Sequence, residues 1–285
     1  VGRMMEVSVE SNLRKLFSLE DKVVLLTGAA GGIGSELAKG MAGVGAEMVL
    51  CDIDEDRLKT LQEAILAENG KARYYIMDVA NNDSVKQCVE AAIRDFGRID
   101  VLINAAGINK REGLLDVTEE TYDRIMDINL KGAFRVTQAV VPHMMKRKKG
   151  SIINIGSHNA TGMLAGCGVY GATKSGLLAL TRAEAVEWAE WGIRANAISP
   201  GHILTPLTQV TWDHPTRGDY LRERIAMRRP GRPEEMLGIV ILLASDSSSY
   251  MTGANYVLDG GCLCGGTPWD YDTAYRNKDG METEV

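Results

Sequence analysis

The order in which short apolar runs and longer amphipathic segments follow one another constrains the fold of this 285-residue chain more than any other feature. VVLL (23–26), MVLC (48–51), ARYYIM (72–77), VLIN (101–104), SIINI (151–155), IRANAI (193–198) and NYVLD (255–259) read as strands. Between them, IGSELAKGMAGV, DEDRLKTLQEAILAEN, NDSVKQCVEAAIRDFG and the segment 118–147 space apolar residues three and four apart, as one face of a helix requires. Strands that are apolar almost throughout must be covered on both sides. Regular alternation with helices therefore implies an α/β protein with a parallel sheet between two helical layers. Asn82 or Asp83 and Thr118 are the natural N-caps of two of these helices.

No repeat or Gly/Ser/Pro-rich linker breaks the series, so the reading is one domain over 20–261. An N-terminal extension (1–19) and a C-terminal tail (262–285) flank it; the tail's Trp269, Tyr271 and Tyr275 suggest packing on this subunit or on a neighbour. The segment from about 202 to 230, rich in Pro, Arg, Trp and His, reads as irregular and lid-like.

A net charge of -6 argues against a nucleic-acid partner. The one basic run, Lys146 to Lys149, falls where a helix ends and suits the helix dipole. No apolar run is long enough to cross a bilayer, and the first residues lack the apolar core of a signal peptide, so no membrane association and a cytoplasmic location are expected. Cys51, Cys88, Cys167, Cys262 and Cys264 are scattered and odd in number, as reduced thiols would be. Cys262-x-Cys264 has no second pair at zinc spacing, so no metal is expected.

Thr27 to Gly34, TGAAGGIG, joins the first strand to the first helix of the series. Glycines there permit a tight turn and bring backbone N–H groups to a pyrophosphate at a helix N-terminus. The second strand ends in Asp52, where a carboxylate would accept from both hydroxyls of an adenosine ribose and repel a 2′-phosphate. No Arg or Lys follows until Arg57, and Asp54 suits the next helix cap better, so NAD is favoured over NADP. Further on, VYGATK places Tyr170 and Lys174 one helical turn apart, close enough for the ammonium to act on the phenol. Alone, that spacing arises by chance; Ser157 thirteen residues earlier, and Asn129 before it, make it a candidate acid/base site.

These motifs resemble the short-chain dehydrogenases/reductases from about residue 18 to 261. The resemblance rests on TGAAGGIG (27–34), DV (78–79), NAAG (104–107), Asn129 in DINLKG, Ser157 in INIGS, YGATK (170–174) and PG (200–201). Ala105, where many members have Asn, is a departure. The resemblance implies a Rossmann-type, doubly wound, seven-stranded sheet, a homotetramer, and cofactor contacts from Gly28, Gly32, Ile33, Gly34, Asp52, Ile53, Asp78, Val79, Asn104, Ala105, Gly107, Tyr170, Lys174, Pro200, Gly201, Ile203 and Thr205. Within it, Asp78 meets the adenine amino group, Thr205 the nicotinamide carboxamide and Lys174 the nicotinamide ribose.

The chemistry then follows. Oxidising an alcohol needs a base as hydride leaves carbon. Tyr170 is the candidate, with Lys174 and the positive nicotinamide lowering its pKa, Ser157 holding the substrate oxygen and Asn129 positioning a relay water. Each has a plainer role open to it: Ser157 as a turn cap, Asn129 at a helix kink, Tyr170 and Lys174 on the surface. For the substrate, the sequence resembles the branch containing gluconate 5-dehydrogenases and polyol dehydrogenases. Arg111, equally readable as a solvated loop residue, together with His158, Asn159 and His202, and with Trp212 and His214 from the lid, are candidates to bond a sugar acid, ketose or polyol. Two other readings stand beside this: a 3-oxoacyl-[acyl-carrier-protein] reductase, and a non-catalytic NAD-binding regulator.

Overall fold

The computed structural model describes residues 9–265. Seven strands, β1 (Val23–Thr27), β2 (Glu47–Asp52), β3 (Lys71–Ile76), β4 (Val101–Asn104), β5 (Gly150–Ile155), β6 (Ile193–Pro200) and β7 (Asn255–Leu258), form one sheet in the order β3-β2-β1-β4-β5-β6-β7. Every neighbouring pair is parallel. The helices are α1 (Val9–Phe17), α2 (Gly32–Gly43), α3 (Glu55–Ala67), α4 (Asn82–Phe96), α5 (Glu119–Met126), α6 (Ala133–Arg147), α7 (Gly168–Trp188), α8 (Pro206–Trp212), α9 (Pro215–Arg224) and α10 (Leu237–Ala244).

The five inner strands divide their side chains between two cores with the period of two that a pleated strand imposes, while the edge strands β3 and β7 are half exposed. In β1, Val24 and Leu26 pack with Leu37 and Met41 of α2 and Val240 and Leu243 of α10. Val23 and Leu25 point the other way, toward Val85 and Val89 of α4 and Val136 and Val140 of α6. Both faces are thus buried, which explains why the strands read as continuous apolar runs.

Asp54 caps α3, accepting the Arg57 N–H at 3.1 Å, and Thr118 caps α5, accepting the Thr121 N–H at 3.2 Å. The cap of α4 is Asn81, one residue before Asn82 and two before Asp83, the expected caps. Its backbone is still extended and its Oδ1 accepts from Asp83 and Ser84 N–H. The basic run ends α6 as expected, but two of its members are in ion pairs: Arg147 with Asp100 at 2.8 Å and Lys149 with Asp246 at 3.2 Å.

The extension supplies α1 and a fully buried Leu19. The lid-like segment is more ordered than its composition suggested, because Pro206 and Pro215 open α8 and α9 and a Thr205–Thr208 capping box starts the first of them. Trp269, Tyr271 and Tyr275 lie outside the described residues. All five cysteines are free thiols, and among the described residues no helix is long and apolar enough to cross a membrane.

Candidate active site

Between β1 and β4 the strand order reverses, so the loops leaving their carboxyl ends diverge and open a crevice. Thr27 Oγ1 holds the floor together, accepting the Ala105 and Ala106 N–H groups at 3.1 and 3.2 Å. Gly28 follows with φ +69°, and a Cβ there would lie 2.8 Å from the Ala106 backbone. On Gly34 a Cβ would collide with the Gly28 carbonyl. Only glycines let α2 start this close to the sheet. No side chain caps Gly32, Ile33 and Gly34 at the head of α2, which leaves its first N–H groups for an anion.

Asp52 ends β2 with its carboxylate turned to that loop: Oδ2 accepts the Ala30 N–H at 3.0 Å, and Oδ1 accepts the Ile53 N–H at 2.7 Å. Ile53 itself is 69% exposed, an apolar surface beside the carboxylate. Asp78 is exposed after β3, its Oδ1 accepting the Ala80 N–H at 2.9 Å, while Val79 is buried. Asn104 turns its side chain away from the crevice into the protein, where Nδ2 donates to Thr137 Oγ1 and Asn154 Oδ1. Its backbone and that of Ala105 to Gly107 run past the glycine loop.

On the far wall, Gly201 after Pro200 donates its N–H to the Leu258 carbonyl at 2.8 Å, and Ile203 bridges to Gly231. A Cβ on Gly32 would lie 2.9 Å from Thr205 Cβ, so the N-cap of α8 in the lid closes on the glycine loop. A glycine cradle at a helix N-terminus with a carboxylate one strand away fits a dinucleotide.

Asn129, Ser157, Tyr170 and Lys174 come together at the inner end of this crevice. Asn129 lies where the run from α5 to α6 widens into a π-helical turn, Asp127–Gly132, a rare geometry that concentrates at functional sites. Its Oδ1 accepts the Ile108 N–H at 2.8 Å, and its Nδ2 donates to the Ile108 carbonyl at 2.8 Å and to Thr173 Oγ1 at 3.3 Å. The amide therefore straps the loop after β4 to α7, leaving only a lone pair of Oδ1 for a water. A Cβ on Gly107 would meet Asn129 Oδ1 at 3.3 Å and Lys174 Nζ at 3.7 Å, which places all three at one junction.

Ser157 is buried; its Oγ accepts the Asn159 N–H at 3.1 Å, and its hydroxyl is near enough to the Tyr170 phenol to favour the ionised form. Lys174 is 4% exposed, donates to the Ile155 carbonyl at 2.8 Å and sits 5.6 Å from the centroid of the Tyr170 ring. The expected lowering of the phenol has burial to work against. Burial raises Tyr170, the neighbouring Ser157 hydroxyl opposes that rise, and Cys167 adds to it. Burial also pulls Lys174 down to about 8. Both groups have left water, and desolvation disfavours the charged form of each.

Of the candidate substrate residues, His158 and His202 face each other edge to face, ring centroids 4.8 Å apart, directly beyond Ser157. Arg111 is exposed but near enough to raise the cost of protonating His202. Burial, joined by His158, Arg111 and Arg224 and opposed by Asp259, holds His202 down to about 4, and burial also lowers His158. Both rings are therefore neutral near pH 7 and can accept or donate.

The structure gives the other three different work. Asn159 Oδ1 accepts the Leu164 N–H at 3.3 Å and closes its own loop. Trp212 is buried with Leu221 and Ile225, anchoring the lid. His214 caps α9 through Nδ1, which accepts the Arg217 N–H at 3.3 Å. Sequence spacing missed the Thr173 contact to Asn129 and the inward Asn104–Asn154–Glu184 chain, in which Asn154 Nδ2 donates to Glu184 Oε2 at 2.8 Å. It also missed the approach of Cys262 to His158 and His202.

The fold and the site define a nicotinamide-nucleotide-dependent oxidoreductase acting on alcohol and ketone groups. A family model described as enoyl-(acyl carrier protein) reductase matches residues 28–262. The 3-oxoacyl-[acyl-carrier-protein] reductase of Thermotoga maritima is 40% identical over 86% of this chain and 99% of its own length. Gluconate 5-dehydrogenase of Gluconobacter oxydans is 38% identical over 86% of this chain and 96% of its own. A crystal structure of a gluconate 5-dehydrogenase from Burkholderia cenocepacia, in complex with NADP and tartrate, superposes with a TM-score of 0.85 at 34% identity, covering 88% of this chain and 98% of the other. The chain belongs to the short-chain dehydrogenase/reductase family.

Proposed function

We propose that this protein is an NAD-dependent dehydrogenase interconverting a secondary alcohol and a ketone on a sugar acid, ketose or polyol. The observation that carries the cofactor choice is the Asp52 carboxylate held against the glycine loop. The cations lining the adjacent hollow, Lys39 and Arg57, are each paired, with Glu36 at 2.8 Å and with Asp54 at 3.3 Å, rather than turned to a 2′-phosphate. The substrate class rests on two neutral imidazoles, His158 and His202, with Arg111 at the rim: together they suit hydroxyls and a carboxylate.

When bound, the nicotinamide supplies the hydride acceptor and a positive ring charge. Tyr170 Oη takes the hydroxyl proton as the C–H bond breaks, Ser157 Oγ bonds the same substrate oxygen, and Lys174 adds positive charge beside the phenol. Asn129 acts first by fixing the loop after β4. Five free thiols support a cytoplasmic setting. A homotetramer belongs to the same proposal, supported by an apolar hollow of about 620 Å³ among Met126 of α5, Leu130 of the π-helical turn, Phe134 of α6 and Leu180 of α7.

Assays with NAD and NADP across a panel of aldonates, polyols and acetoacetyl thioesters test the reading. NAD reduction by an aldonate or polyol supports it. NADPH-dependent reduction of the thioester overturns it in favour of a 3-oxoacyl-[acyl-carrier-protein] reductase, as the Thermotoga relative is named, and NAD binding with no turnover overturns it in favour of a regulator.

The pH dependence has a definite sign. Because burial raises Tyr170, the base form gains ground only as pH rises. Oxidation kcat/KM is expected to climb up to about tenfold per unit between about pH 6 and 9, and reduction to move the opposite way. An oxidation profile flat over that range would count against Tyr170 as the base.

A further inference from the structure

The loops at the carboxyl ends of three adjacent parallel strands bring together side chains 44 and 60 positions apart in sequence. His158 follows β5, His202 follows β6 and Cys262 follows β7. One ligand atom from each lies within 4.8 Å of the other two. Around a tetrahedral zinc ion, with bonds of about 2.0 to 2.3 Å, ligand atoms stand about 3.3 to 3.8 Å apart, so inward shifts of about 1 Å would close the set.

A second observation points to a ligand. His158 is 5% exposed, and its Nδ1 is a buried polar atom without a hydrogen-bond partner. Such atoms are uncommon in folded proteins, and a bound ion is one of the few things that satisfies them. The segment carrying Cys262 is already seated on the loop carrying His158, since Leu263 packs against Gly162. Asp259, whose carboxylate accepts the Gly261 and Leu263 N–H groups, adds negative charge beside all three side chains. Arg224 near His202 and Cys262, and Arg111 near His202, oppose a cation there. A thiolate ligand together with Asp259 offsets them.

We propose that His158, His202 and Cys262 form a three-ligand site for a borderline-soft divalent ion of the zinc type, with the fourth position left to a water or another small ligand. Two imidazoles and a thiolate select such an ion over magnesium or calcium, which take oxygen ligands. Bound there, the ion ties the turn after β7 to the loops after β5 and β6 and fixes the mouth of the substrate pocket. The inference does not depend on which alcohol is oxidised, because its test reads metal binding directly; it does take the one acceptor nitrogen of His158 and of His202, which leaves each ring only an N–H for a substrate hydroxyl.

Full-length protein stripped with a chelator is titrated with Co²⁺, whose thiolate complexes absorb strongly in the near ultraviolet, and the bound Co²⁺ is then displaced with Zn²⁺ or Mg²⁺. One Co²⁺ per chain with a thiolate band, displaced by Zn²⁺ and not by Mg²⁺, is expected. Cys262→Ser removes the band and His202→Gln weakens binding at least about tenfold, while Cys264→Ser, at an exposed thiol, changes neither. Circular dichroism of each variant confirms that it is folded. Absence of the band in the wild type, its survival in Cys262→Ser, or its loss in Cys264→Ser overturns the site.

Discussion

Tyr170→Phe is expected to lower turnover by at least about 10³-fold while leaving NAD binding nearly intact. The substitution removes one oxygen and keeps the ring that packs beside Lys174, whose Nζ lies 5.6 Å from its centroid. Lys174 keeps its bond to the Ile155 carbonyl, and the glycine cradle is on other elements. What disappears is the phenolic oxygen beside Ser157, the group proposed to exchange a proton with the substrate oxygen. Steady-state kinetics with a fluorescence titration of NAD separates the two effects. Residual activity within about tenfold of wild type would remove Tyr170 from the mechanism. A loss of NAD binding in parallel would instead assign the phenol a role in holding the cofactor.

A parallel sheet covered on both faces and the glycine loop after its first strand were legible because both depend on local pattern, whereas the doubly wound arrangement came from the family resemblance. Strands buried on two faces must be apolar throughout, and loops such as Thr27 to Gly34 need glycine wherever a Cβ would strike backbone. Three kinds of information were not local. The N-cap of α4 depends on where the backbone leaves extended geometry, which Asn81, Asn82 and Asp83 do not distinguish by composition. The titration of Tyr170 depends on how much water reaches it, and burial, which raises it, is not visible in local spacing. The meeting of His158, His202 and Cys262 depends on strand order: reading Cys262 with Cys264 follows sequence proximity, whereas the sheet sets Cys262 beside two histidines far from it in the chain. Trp212 and His214 show the converse. A polar, aromatic lid invites a substrate role, yet the lid must first hold itself together, and both residues are taken up in doing so.

Asp52→Asn is expected to shift the ratio of kcat/KM for NAD over NADP by about 10²-fold toward NADP, with little change in stability. Asn preserves the shape and one acceptor oxygen of the carboxylate, so either the Ala30 N–H across the loop or the Ile53 N–H beside it keeps its partner. The charge is what goes. A full carboxylate accepts strongly from ribose hydroxyls and repels a 2′-phosphate in the same place; the amide accepts more weakly and repels little. Since the effect on NADP is relief of repulsion rather than a new contact, the variant should gain NADP use without matching the wild-type rate with NAD. Adding a cation as well tests the remaining half of the argument: once Asp54→Ala releases Arg57 from its 3.3 Å pair, the double variant should favour NADP further. Kinetics with both cofactors at saturating alcohol give the ratios. A wild type that already prefers NADP, or a ratio unmoved by Asp52→Asn, would mean that the 2′ position is read elsewhere, with Lys39 and Arg57 the cations that line the neighbouring hollow.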